Sequence, residues 1–113
     1  MEINASKRGP RLHVKLSGEL DHHSAEQTRN MLDTLLKDIT VRDLTLDLSG
    51  VSFMDSAGLG LILGRYARAS VLGIPVIIRN PSPRHERLLQ MAEFHNIVKI
   101  ERKEAKRNEK AAK

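Results

Sequence analysis

The sequence predicts a single α/β domain: a mixed, mostly parallel sheet with helices packed on it. Three observations carry that prediction. Short segments with alternating apolar residues are separated by single stretches whose apolar residues recur every three or four positions, the pattern of strands joined through helices. The first two extended segments have only a Lys-Arg-Gly-Pro turn between them, so they pair as an antiparallel hairpin. Apolar residues make up 40% of the chain and aromatic residues 3%, so the core is aliphatic. A chain of 113 residues supports one such core and not two.

The elements follow in order. EINAS (2–6) and RLHVKLSG (11–18) are strands, and the second turns Leu12, Val14 and Leu16 inward against His13, Lys15 and Ser17 outward. A helix over 24–39 is expected, with Ser24 and Gln27 spaced as a capping box and Ala25, Thr28, Leu32, Leu35 and Ile39 on one face. LTLDLSGV (44–51) alternates again and is a strand. A second helix is expected over 57–72, with Leu59, Ile62, Leu63, Tyr66 and Ser70 on its buried side. Gly73 turns the chain into IPVIIRN (74–80), an interior strand. Pro81-Ser82-Pro83 interrupts it, a helix over 83–94 turns Leu88, Leu89 and Met91 inward, and 96–101 forms a peripheral strand. The order is β-β-α-β-α-β-α-β, filling a domain of residues 1–101, followed by a basic tail, 102–113, with no apolar face.

Composition removes several functions. Without cysteine there is no disulfide and no thiolate metal site. The opening segment lacks the apolar core of a signal peptide and no run approaches a membrane span, so a soluble cytoplasmic protein is expected. The net charge of +5 is concentrated at the end, where residues 99–113 hold seven Lys/Arg against three Glu. A nucleic-acid surface needs its basic residues on the fold, usually with aromatic platforms, and only Phe53, Tyr66 and Phe94 are aromatic. The tail therefore reads as solvated, and no direct nucleic-acid partner is expected. His22 and His23 are adjacent with no third ligand at suitable spacing, so no metal or other cofactor is expected.

One stretch carries more than a structural reading. In SFMDSAGLG (52–60), Asp55 and Ser56 fall where a strand gives way to a helix, the edge at which open α/β sheets meet their ligands. Either residue serves there as an N-cap, and a serine in the first turn also sits at the positive end of the helix dipole. Each of Gly58, Gly60 and Gly64 costs the helix about 1 kcal/mol relative to alanine. Together they leave a smooth patch for a close-lying partner, with Leu61 between them as an outward apolar anchor. No Gly-Lys-Ser/Thr ending follows, so this is not a phosphate-binding loop.

These residues carry a resemblance. FMDSAGLG with LILGRY after it and GELDHH upstream resembles the STAS domain of bacterial anti-sigma factor antagonists, its sporulation members in particular. The resemblance covers roughly residues 2–100, and the element order derived above agrees with the STAS fold. It implies a switch protein without catalysis of its own. The expected partner is an anti-sigma factor that is also a serine kinase, binding with ATP or ADP. The implied acceptor is Ser56, flanked by Asp55, Ala57, Gly58 and Gly60, with Asp21 and His22 of the upstream loop beside it. Unphosphorylated chain binds the kinase and releases the sigma factor, phosphorylation ends binding, and a PP2C-like phosphatase restores it. The same resemblance leaves open a STAS module of a general stress or scaffold pathway.

Overall fold

In the computed structural model the five strands lie side by side in the order in which the chain makes them. The structure describes residues 1–91 and 99–102. β1 (Glu2–Arg8) pairs antiparallel with β2 (Arg11–Leu20) through a tight turn in which Gly9 takes φ +58°, the left-handed region open to glycine. Then α1 (His22–Leu35), β3 (Asp43–Met54), α2 (Ser56–Val71), β4 (Val76–Arg79), α3 (Pro83–Met91) and β5 (Lys99–Glu101) alternate, and β2 to β5 run parallel. The α/β class and the element order are those the sequence predicts.

Register and alternation together define the core. The rows Leu12–Leu44–Val76 and Val14–Leu46–Ile78 run across three strands, and all six side chains are buried. Leu32 of α1, Leu61 and Ile62 of α2 and Leu89 of α3 complete the same cluster. Intervening residues, among them Arg11, His13, Thr45, Asp47 and Arg79, project from the opposite face. A neighbour-to-neighbour strand order with right-handed crossovers places successive helices on one side of a sheet, which accounts for this one-sided core.

Several boundaries differ from expectation, each for a local reason. β3 runs to Met54 rather than 51 because its pairing with β2 slips twice, between Lys15 and Ser17 and between Gly18 and Glu19 of β2. Each slip adds a residue on β3, so inward positions follow Leu48 at intervals of three, Val51 and Met54, and strict alternation disappears. α1 begins at His22 because its cap is Asp21, one turn before the expected Ser24 box. It ends at Leu35, and Ile39, expected on the apolar face, lies outside the helix at 93% exposure. On α2 the fully buried positions are Gly58, Leu61, Ile62 and Ala69, with Leu59, Leu63 and Tyr66 only partly covered and Ser70 exposed. In α3 Leu89 is buried but Met91 is exposed, and His85 and Glu86 take the inner positions instead. The expected continuation of this helix to 94, the strand start at 96–98 and the tail from 103 onward lie outside the described residues.

Candidate functional site: two helix starts tied by one carboxylate

β2 and β3 are adjacent and parallel, so the two helices that follow them begin side by side at one edge of the sheet. Asp21 caps α1. Its Oδ1 accepts the N–H groups of His23 at 3.0 Å and Ser24 at 3.1 Å, and Ser24 Oγ accepts the N–H of Asp21 at 3.1 Å. The Ser24 hydroxyl donates in turn to the Glu19 carbonyl at 2.8 Å. The bond from the Ser24 N–H holds the Asp21 carboxyl below its usual pKa, assisted by the His23 N–H and the nearby His23 side chain.

Asp55 caps α2 and also reaches across to α1. Its backbone is extended (φ −106°, ψ −171°), its Oδ1 accepts the Gly58 N–H at 2.9 Å, and its Oδ2 accepts the His22 N–H at 3.2 Å. Its own N–H donates to the Leu20 carbonyl at 3.3 Å. One carboxylate thus satisfies a first-turn donor on each of two helices, and a cap of this kind contributes about 1 kcal/mol. It also joins the start of α1, at Asp21 and His22, to the start of α2.

Ser56 is the first residue of α2 and its side chain is exposed. The N–H groups of Ser56 and Ala57 have no intrahelical acceptor at this position, so the hydroxyl stands where the helix dipole is most positive. His22 and His23 are exposed beside this edge, their rings 4.0 Å apart centre to centre.

The glycines divide into two kinds. A Cβ on Gly58 would lie 2.0 Å from the Leu20 carbonyl oxygen, so Gly58 is what lets α2 press against the end of β2. It is buried and serves packing rather than an open surface. Gly60 and Gly64 have open space where a side chain would be, and Gly60 is exposed, as a smooth docking patch requires. The outward anchor expected at Leu61 is overturned. Leu61 is 7% exposed because it stands three residues after Gly58, on the face that α2 turns to the sheet. An exposed apolar residue, Phe53 at 47%, lies three positions before Ser56 in the chain instead, opposite Glu19 and alternating with its buried neighbour Met54. Strict alternation ends the strand at 51 and so hides this residue. The signal that would have found it is the three-residue spacing of Leu48, Val51 and Met54.

Among the described residues no three His, Cys, Asp or Glu side chains gather as a metal site, and no helix is long and apolar enough to cross a membrane.

Comparison with known proteins agrees with this architecture. The STAS domain family model matches residues 2–107. An anti-sigma F factor antagonist of Paenibacillus polymyxa is 38% identical over 87 residues, which is 77% of this chain and 74% of that protein. An anti-sigma-B factor antagonist of Staphylococcus aureus is 31% identical over 77% of this chain and 80% of its own. The solved structure of the anti-sigma factor antagonist SpoIIAA in its unphosphorylated form superposes with a TM-score of 0.72 at 27% identity, covering 98% of both chains. The phosphorylated form of the Bacillus cell fate determinant SpoIIAA gives 0.69 at 29% identity, covering 96% of this chain and 98% of that one. This chain belongs to the STAS-domain family, among its anti-sigma factor antagonists.

Proposed function

We propose that this chain is a partner switch for an anti-sigma factor that is itself a serine kinase, and that the switch is esterification of the Ser56 hydroxyl. One observation carries the reading: an exposed serine opens α2, and Asp55 fastens that helix start to the start of α1 at Asp21 and His22. The unphosphorylated surface, made of Asp21, His22, Asp55, Ser56, Ala57 and Gly60 with Phe53 as its apolar element, docks the anti-sigma factor and frees the sigma factor. The kinase uses ATP to phosphorylate Ser56, and a PP2C-like phosphatase reverses the step. All of this takes place in the cytoplasm. A relative solved in a phosphorylated form supports a covalent switch in this family.

The physics of the switch is electrostatic. A phosphoserine carries about −1.5 to −2 charges at neutral pH. The start of α2 accommodates that charge through its free N–H groups and dipole, so the fold survives modification. A docked partner has no such relief. A carboxylate it holds about 4 Å from the phosphate costs about 4 kcal/mol at an effective dielectric of about 20, before screening. Half of that already weakens binding by about tenfold to a hundredfold. Release therefore needs no rearrangement of this chain.

The anti-sigma F relative favours a sporulation sigma factor as the beneficiary, and the anti-sigma-B relative favours general stress signalling. The test mixes the purified chain with each candidate anti-sigma kinase and ADP or ATP, reading complex formation and intact mass together. The sporulation kinase is expected to bind in ADP and to add one phosphate in ATP. A Ser56→Ala chain that still gains phosphate would overturn the assignment of Ser56.

A further inference from the structure

We propose a second docking site, at the pole of the fold opposite Ser56, for an acidic amphipathic segment of another protein. The C-terminal ends of α1 and α2 converge there on a cavity of about 340 Å³ whose floor is the buried Leu36, Val41 and Ile74. Its rim carries Ile39 at 93% exposure and Leu72 at 48%, with Val71 at 85% next to Leu72 in the chain. These are three of the six large apolar side chains exposed among the described residues. Single exposed aliphatic residues are ordinary on soluble proteins, whereas a cluster over an apolar cavity marks an interaction surface.

Charge selects the occupant. Both carboxylates at the cavity are already engaged: Asp33 holds Arg65, and Asp38 accepts from Thr40 and pairs with Lys7. Lys37 and Arg68, both exposed at the same cavity, have no carboxylate partner among the described residues. The unneutralised charge at the rim is therefore positive. A second copy of this chain, paired through the same patch about a two-fold axis, brings like charges together. A segment with aliphatic residues at helical spacing and Glu or Asp on its flanks satisfies both the cavity and the cations.

The site is also beyond the reach of the switch. The 16 residues of α2 separate it from Ser56 by a rise of about 24 Å, against a screening length of about 8 Å at physiological salt. Its partner stays bound whether or not Ser56 is phosphorylated. Only this indifference rests on the proposed role of Ser56; the site stands on the patch itself.

The test titrates two fluorescein-labelled amphipathic helical peptides into the full chain, identical in their Leu positions and flanked by Glu in one and Lys in the other. Saturable binding of the Glu peptide is expected, at least about tenfold tighter than the Lys peptide. Val71→Glu and Arg68→Glu each weaken it by about tenfold, with unchanged thermal midpoints, and Ser56→Asp leaves it within about twofold. Amide shift changes gather at Ile39, Val71 and Leu72. Absence of saturable binding, equal binding of the Lys peptide, or a concentration-dependent dimer dissolved by Val71→Glu would each overturn the proposal. Phosphate on a Ser56→Ala chain overturns the switch alone and leaves these binding results as they are.

Discussion

The carboxylate of Asp55 accepts the backbone N–H of His22 at 3.2 Å, so the residue that caps one helix also fixes the start of its neighbour. Two functions follow from one side chain, and they separate by substitution. Asp55→Ala loses both acceptors and is expected to cost about 1–2 kcal/mol, the range of a lost N-cap with its link. Asp55→Asn keeps one carbonyl oxygen and trades the other for an amide that cannot accept, so about half that loss is expected. Urea midpoints give the stability, and amide exchange at His22 reports the link. Equal exchange at His22 in the wild-type chain and Asp55→Ala would mean the cross-helix bond has no structural weight.

Gly58 and Gly60 respond oppositely to the same substitution. Alanine ordinarily improves a helix by about 1 kcal/mol over glycine. At Gly58 the new methyl lies 2.0 Å from the Leu20 carbonyl oxygen and 2.9 Å from its carbon, and backbone must move to admit it. Overpacking of about 1–3 kcal/mol or more then exceeds the propensity gain, so Gly58→Ala is expected to destabilise. Gly60 faces open space, and Gly60→Ala is expected to stabilise the chain by up to about 1 kcal/mol while weakening partner binding. Thermal melts of the two variants decide this, and a shift of the same sign in both would contradict it.

How much of this was legible in the sequence depended on the kind of interaction. Alternation in Leu12–Leu16 and Leu44–Leu48 exposed the sheet, and the turn at Lys7–Pro10 exposed the hairpin, because local sequence dictates both. The site's backbone setting was legible too, since Asp-Ser before a helix is a local signal. What failed was rotation. The face α2 buries is set by the approach of Gly58 to Leu20, residues 38 positions apart, and no spacing within the helix records it. Leu61 faces inward for that reason, against the outward position that the glycine spacing predicts, and two register slips in the pairing of β2 with β3 hide Phe53 from alternation. Ser24 does serve in the capping box of α1, but as its third helical residue, and the cap itself is Asp21, which the Ser24–Gln27 spacing does not reveal.

On the proposed partner surface Phe53 is the apolar contact, and this is testable. Nearly half of this residue's surface is exposed, one strand residue before the buried Met54, and large aromatic residues dominate interface energetics. Phe53→Ala is expected to weaken anti-sigma factor binding by about tenfold or more, at least 1.4 kcal/mol. Because the ring is not in the core cluster, folding stability should change by less than about 1 kcal/mol. Calorimetric titration against the anti-sigma factor, alongside urea unfolding, separates the two readouts. Unchanged affinity would remove Phe53 from the surface.

His85 makes the stability of the fold depend on pH near neutrality. The residue is 3% exposed on α3, and its Nδ1 is buried without a hydrogen-bond partner among the described residues. Burial disfavours the imidazolium, and the Arg84 cation adds to that, so its pKa falls below the ordinary histidine value. A depressed value means that the unfolded chain takes up the proton first as the pH falls. The stabilisation from neutral His85 is therefore complete above about pH 6.5 and is lost as the pH drops through the lower folded value. Urea midpoints at pH 7.5 and 5.5 are expected to differ, lower in acid, and His85→Leu is expected to reduce that difference. The substitution keeps an apolar side chain in the inner position and removes the titrating nitrogen, so its cost at pH 7.5 measures packing and its altered slope measures protonation. An identical slope in the His85→Leu chain would assign the acid sensitivity to other groups; the capping carboxylate of Asp21 is not among them, because its lowered pKa keeps it ionised across this range.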